Sequence, residues 1–338
     1  MSDDSPDSRP AVEAKHGADP SDAGRWRRWF LTLLFVAALI VAALHWADVE
    51  KFAELARAAK PGWLAAALLL QLSTYLSLSL EWSLVLRAGG SPLSFWSLLP
   101  LTITKLFADQ VVPTAGVSGN ILLVDRLIDR GVPRKNAVAA VILAIIAYYV
   151  SYAACALAAV VLLWLLSDLN GWLVGLVSVF LIVAAAIPAA ALWMHGKGSS
   201  GVPSWLGRSA SVRELLELIG EAPEALVRSP RLIGQLALLN GAVFLADAAT
   251  VQVCLYALGV QAPFEAAFVA LVMASIVVTL GPIPFGLGTF EGTSIGMLRL
   301  MGIPFEAALS ATLLFRGFAL WLPLIGGMFL MRRGFRRR

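Results

Sequence analysis

Hydrophobic positions along this chain gather into long segments near 29 to 46, 62 to 86, 136 to 166, 172 to 194, 232 to 258 and 307 to 331. Each meets the roughly 20-residue requirement for a helix that crosses a bilayer. Two further apolar stretches, 92 to 130 and 263 to 301, start at a proline, break at Pro113 or Pro284, and resume as a second short helix. They predict re-entrant helical hairpins, each returning to the side it left. The expected fold is an all-α polytopic membrane protein of six spans plus two hairpins, eight membrane segments in all.

The helix punctuation repeats. Pro92, Pro113, Gly131 and Pro133 recur 171 residues later as Pro263, Pro284, Gly302 and Pro304. The flanks keep the register: Gly131-Val132-Pro133 matches Gly302-Ile303-Pro304, and Ala137, Ala140 and Leu143 match Ala308, Ala311 and Leu314. Two copies of one unit are therefore expected. With the amino terminus inside, the cytoplasm receives Arg25 to Arg28, then Arg87 with Arg126, Arg130, Arg134 and Lys135, then the 195 to 231 loop, and last the basic tail. Every strong basic cluster lands on one side, as the positive-inside rule requires. On this count the first hairpin enters from the cytoplasm and the second from outside, so the repeats have inverted topology.

The domain reading follows. Residues 1 to 24 form a polar, disordered cytoplasmic tail, 25 to 194 a first membrane repeat with its hairpin near 92 to 130, and 195 to 231 a cytoplasmic amphipathic loop. Residues 232 to 331 form the core of the second repeat with its hairpin near 263 to 301, and 332 to 338 a basic cytoplasmic tail. Within the loop, Ser211-Val212-Arg213-Glu214 is a capping-box pattern opening a short helix. Arg27 and Arg28 before an apolar segment resemble a twin-arginine signal, but the segment is long enough to span and lacks a small-residue cleavage site, so a retained first helix is expected.

Composition agrees with the segment pattern, since 59% of residues are hydrophobic and only 14% charged, with a mean hydropathy of +0.79. Water alone would not keep such a chain folded and dispersed. The net charge of +4 comes largely from the basic clusters at the two ends. These abut hydrophobic segments, which points to anionic headgroups and away from nucleic acid. The two cysteines, Cys155 and Cys254, lie in apolar segments and read as packing residues. No cofactor or metal is expected. A lipid-modifying enzyme usually needs clustered His, Asp or Cys, whereas His16, His45 and His195 lie in the tail or at span ends, so the expectation is a protein that is not an enzyme. No Gly-x-x-x-x-Gly-Lys-Ser/Thr loop occurs, so ATP would have to act through a partner.

Candidate chemistry sits where charge meets apolar sequence. Glu291 ends the run Gly281-Pro282-Ile283-Pro284-Phe285-Gly286-Leu287-Gly288-Thr289-Phe290-Glu291. Backbone that cannot stay helical at membrane depth survives only where protein or a water-filled cavity satisfies it, so Pro284, Gly286 and Gly288 mark the hairpin break. In the first copy the break is marked by Pro113, Gly116 and Gly119, and Asn120 and Ile145 stand where the second copy has Glu291 and Arg316. Arg316, deep in the last span, needs an interior partner, and Glu291 is the obvious candidate. The pair reads either as a structural pin or as a headgroup or coupling-ion contact. Asp247 is similarly deep and has Leu76 as its repeat counterpart. It is a proton or cation site or simply a hydrogen-bonded polar residue. Ser73, Ser77 and Glu81 recur every four residues on one helix face, either packing with Glu81 near the cytoplasmic interface or lining a polar path. Lys105 and Asp109, four apart, can neutralise each other. Asp125, Arg126, Asp129 and Arg130 read as a solvated surface cluster or a headgroup-attracting vestibule.

Pro284-Phe285-Gly286-Leu287-Gly288-Thr289-Phe290-Glu291, then Gly302-Ile303-Pro304, then Leu314-Phe315-Arg316 resemble the signature of the lysylphosphatidylglycerol synthase transmembrane, or flippase-like, family. The resemblance spans roughly residues 25 to 335. Phe285 departs from it, standing where a glycine is usual. The resemblance implies a membrane module that moves lipids between leaflets, without the aminoacyl-transferase domain that some members carry. The expected function is translocation of a phospholipid or other lipid with an anionic or polar headgroup, flippase- or scramblase-like, with the positive ends of the short helices after Pro113 and Pro284 facing the anion. The alternatives are a secondary transporter of a small solute and a non-catalytic assembly subunit. Expected partners are membrane lipids, with a lipid-synthesising enzyme and a second copy of the chain as candidate protein partners. The expected location is the bacterial inner membrane, both termini cytoplasmic.

Overall fold

A computed structural model describes residues 57, 59–111, 117–166, 171–197, 222–281, 286 and 288–336. The predicted first span, the 1 to 24 tail and the Ser211 capping box lie outside the described residues, as do Pro113, Gly116 and Pro284. The described elements are helices: α1 (Pro61–Ala88), α2 (Phe95–Val111), α3 (Val117–Ile128), α4 (Arg134–Leu166), α5 (Gly171–Lys197), α6 (Glu224–Val227), α7 (Pro230–Ala257), α8 (Phe264–Leu280), α9 (Thr289–Leu300), α10 (Phe305–Arg316) and α11 (Leu322–Arg336). A π-helical turn, Gly317–Trp321, joins the last two. In an apolar medium a helix satisfies every interior backbone N–H and C=O within its own segment, which is why this composition yields helix throughout.

Five helices are long and apolar enough to cross a membrane: α1, α4, α5, α7 and the composite α10–π–α11. They correspond to five of the six predicted spans. Large apolar side chains face outward from them, among them Leu69, Leu157, Ile182 and Leu238. Exposed tryptophans mark the two ends: Trp63, Trp164 and Trp172 at one, Trp96 and Trp193 at the other. That arrangement matches the aromatic belts of the two membrane interfaces.

Between α1 and α4 the chain folds into a pair of packed helices, α2 and α3, whose open ends meet. The Asn136 amide at the start of α4 donates to Gly89 O at 2.7 Å and Ser91 Oγ at 2.8 Å. Arg130, just past α3, donates to Ser97 O near the start of α2 at 3.1 Å. α8 and α9 pack in the same way between α7 and α10. The arms are short. The 17 residues of α8 and 12 of α9 reach about 25 and 18 Å at 1.5 Å per residue.

The elements of the two halves match in order and length: α1 and α7 each have 28 residues, α2 and α8 each 17, α3 and α9 each 12. α4 packs on α8, and α11, the second part of the composite last span, packs on α2. The Gly-x-Pro pair has a structural cause. Gly131 and Gly302 have φ of 82° and 86°, closing α3 and α9 with Val132 N–H bonded to Leu127 O and Ile303 N–H to Leu298 O. The left-handed residue stops the helix, and the proline two residues on opens the next.

α1 and α7, the counterparts, run antiparallel against each other. Lys60 N–H meets Ala257 O, Gln71 meets Asp247, and Asn240 meets Glu81, so residue numbers rise on one helix as they fall on the other. The main apolar core gathers residues of α4, α5, α7, α8, α9 and α10. Within it every residue of α8 from Ala266 to Ala274 is buried, the pattern of a helix enclosed on all sides. Cys155 and Cys254 are buried in that core as packing residues.

Candidate functional site

The break between α8 and α9 is held by one carboxylate. Gly286 and Gly288 take positive φ, 61° and 78°, and α9 starts at Thr289. Glu291, in the first turn, accepts the Gly288 N–H on Oε2 at 2.7 Å. Its other oxygen, Oε1, accepts Nε–H of Arg316 at 2.7 Å. The side chains are only 20% and 13% exposed. A carboxylate at a helix N-terminus is stabilised by the unpaired amides there, so Glu291 is held by two partners of different kinds.

Arg316 is positioned just as tightly. It is the last residue of α10, where the backbone passes into the π-helical turn, a distortion found often at functional positions. Its guanidinium carbon lies 5.0 Å from the centre of the Phe290 ring, and Phe290 stacks on Phe315 at 5.8 Å. A planar cation between a carboxylate and an aromatic face loses little freedom per contact and keeps its charge in an apolar setting.

The first hairpin reaches a similar arrangement from other positions. Asp109, near the end of α2, accepts Lys105 Nζ at 2.8 Å on Oδ2 and the Gly119 N–H at 3.0 Å on Oδ1. The Ser118 hydroxyl adds a bond to Ala108 O. A Cβ at Gly119 would overlap the Asp109 carboxylate and Lys105 O, so only glycine lets the two arms approach this closely. Asn120 is half-buried and makes no side-chain hydrogen bond among the described residues. Both hairpins thus carry a carboxylate on an amide of the second arm and a cation on that carboxylate. In the first copy both charges come from α2; in the second they come from α9 and α10.

Glu81 and Asp247 lie along the α1–α7 seam. Glu81 is buried and accepts Asn240 Nδ2–H at 3.0 Å, while Lys105 is near enough to act on it electrostatically. It sits inside the seam. Asp247 accepts Gln71 Nε2–H at 2.7 Å, and the same amide reaches Thr250 Oγ1 at 3.3 Å. The Ser73 and Ser77 hydroxyls bond to Leu70 O and Ser73 O of their own helix. Arg126 and Asp129 pair at 3.8 Å on the surface. Gln71, Asn240 and the Gly119 amide were not singled out by sequence. The one signal for the first two was a polar side chain inside an apolar span.

Two carboxylate–cation pairs thus lie at the second arms of two packed short-helix pairs, in a bundle with five helices long and apolar enough to span a membrane. The sequence profile described as the lysylphosphatidylglycerol synthase TM region matches residues 29–327. The chain belongs to the lysylphosphatidylglycerol synthase transmembrane family. It is a multi-pass membrane protein of a family linked to lipid handling. No curated protein matches the chain.

For this family member the charged residues change one expectation. The amides of Gly119 and Gly288, at the positive ends of α3 and α9, are already taken by Asp109 and Glu291. The cations paired with those carboxylates are Lys105 and Arg316.

Proposed function

We propose that this protein moves a lipid with an anionic or polar headgroup between the leaflets of a bacterial inner membrane. The observation that carries the proposal is the Glu291–Arg316 pair, a mostly buried ion pair set at a helix break among spanning helices. Charge in such a place is costly, and in membrane proteins it marks substrate and ion routes. The headgroup exchanges with Glu291 for the Arg316 guanidinium, while the acyl chains stay against the apolar outer faces of the spans. The protein transports without chemically altering its substrate.

The two halves are an inverted repeat, and α2–α3 and α8–α9 are re-entrant hairpins entering from opposite faces. Two facts support this reading. Repeat-equivalent α1 and α7 pack antiparallel, which a two-fold axis lying in the membrane plane produces. The hairpin arms are shorter than the roughly 30 Å hydrocarbon core. Arg87, Arg126, Arg130, Arg134, Lys135 and Arg231 gather at the end where α1 and α3 stop and α4 and α7 start, which supports a cytoplasmic position for that end.

The test is leaflet exchange in liposomes that hold purified protein and fluorescent lipids of anionic, neutral or cationic headgroup, read with an impermeant quencher. Wild type is expected to bring the protected signal below about half, the limit set by a static bilayer, with the anionic lipid fastest. Arg316→Ala and Glu291→Gln are expected to abolish the exchange. Wild-type traces equal to empty liposomes, with and without ion gradients, would overturn the lipid reading and move the case to a small solute.

A further inference from the structure

Four carboxylates sit inside the bundle among the described residues, and three have a cation acting on them. Glu291 has Arg316, Asp109 has Lys105, and Glu81 feels Lys105. Asp247 differs. It is the eighteenth of the 28 residues of α7, near the middle of a span, and its recorded partner is the neutral amide of Gln71. The groups facing it are uncharged: Gln71 and Tyr75 from α1, Tyr148 from α4, and Thr250 on its own helix. The charged residues of α8 and α10, Glu265, Glu306 and Arg316, stand at the ends of their helices, and none acts on it.

A second observation points to the same spot. Tyr75 lies one helical turn beyond Gln71, is 7% exposed, and its hydroxyl is buried with no hydrogen-bond partner. It is within electrostatic reach of Asp247. Buried hydroxyls are nearly always bonded, so an orphan within electrostatic reach of a carboxylate calls for a partner. A carboxylate at membrane depth also needs a compensating positive charge. Among the described residues none supplies it, so an ion from solvent is the remaining source.

We propose that Asp247, Gln71, Thr250 and Tyr75 form a binding site for one monovalent cation, H⁺ or Na⁺, in the α1–α7 seam. The ion binds at an Asp247 carboxylate oxygen. Gln71 orients that carboxylate through Nε2–H, and the Thr250 and Tyr75 oxygens complete the cage. Because the seam is where the two halves meet, occupancy biases how they pack. The site does not rest on lipid movement: failed leaflet exchange leaves it standing, and its own failure leaves the lipid reading standing.

The experiment uses the full chain in lipid nanodiscs, as wild type, Asp247→Asn and Tyr75→Phe. Infrared difference spectra across the neutral pH range report a protonated carboxyl. Thermal unfolding in sodium chloride against choline chloride, at one pH and ionic strength, reports sodium. Either a protonated-carboxyl band lost in Asp247→Asn, or a sodium-dependent midpoint rise of several degrees lost in Asp247→Asn and reduced in Tyr75→Phe, is the expected result, and which one appears names the ion. Wild type lacking both signals, or signals that persist in Asp247→Asn, would overturn the proposal. Asp247→Asn keeps the oxygen that Gln71 bonds, so the fold is retained. If it nevertheless fails to accumulate, Tyr75→Phe with the wild-type spectra decides.

Discussion

Removing both charges of the Glu291–Arg316 pair should cost less than the sum of removing each alone. The contact is 2.7 Å with side chains 20% and 13% exposed. Opposite charges about 4 Å apart attract by about 4 kcal/mol at an effective dielectric near 20, and leaving one member of a buried pair alone costs about 3–5 kcal/mol. The partial exposure lowers that figure, so Glu291→Gln and Arg316→Met are each expected to destabilise by about 2–4 kcal/mol. In the double variant no unpaired charge remains. Its loss should fall short of the summed single losses by about 2 kcal/mol, the range of direct coupling. Glutamine at 291 still accepts the Gly288 N–H, so the α9 cap survives and the measurement isolates the charge. Reversible unfolding in mixed micelles, titrated with a denaturing detergent, gives the four free energies. Single losses that add within about 0.5 kcal/mol would refute a direct pair. The same four proteins separate pin from transport group: a double variant that shows the stability coupling yet has no leaflet exchange assigns Arg316 to the substrate, whereas a folded double variant that exchanges lipid leaves only the pin.

Two further outcomes follow from packing and topology. A Cβ at Gly327 would overlap the Phe107 side chain where α11 meets α2, so Gly327→Ala is expected to lower stability by about 1–3 kcal/mol; thermal unfolding reads the loss, and an unchanged midpoint would refute the contact. In a chain whose two cysteines are replaced, Asp129→Cys and Arg299→Cys at the exposed ends of the two hairpins should react with an impermeant maleimide from opposite sides of the membrane, and labelling from one side would refute the inverted topology.

Much of this protein was legible without coordinates because the bilayer reduces folding to local rules. Apolar runs must be helices, prolines and glycines must end them, and basic residues stay on one side. Hence five of the spans and the glycine-x-proline helix stops were readable, down to Gly131-Val132-Pro133 and Gly302-Ile303-Pro304. Even the Glu291–Arg316 partnership could be named, since a deep arginine needs an acid and few were on offer. Lys105 and Asp109 were likewise paired by their spacing. What sequence could not assign was every contact set by the register of one half against the other. That Gln71 meets Asp247 depends on the antiparallel stagger of α1 and α7, which no local pattern encodes. That Asp109 caps Gly119 depends on how closely two arms fold together. The repeat alignment placed Asn120 opposite Glu291 and found no matching charge, yet Asp109 supplies one from the neighbouring arm. Helices were local decisions of a chain in an apolar solvent, whereas the partners of the buried charges were decided by long-range packing.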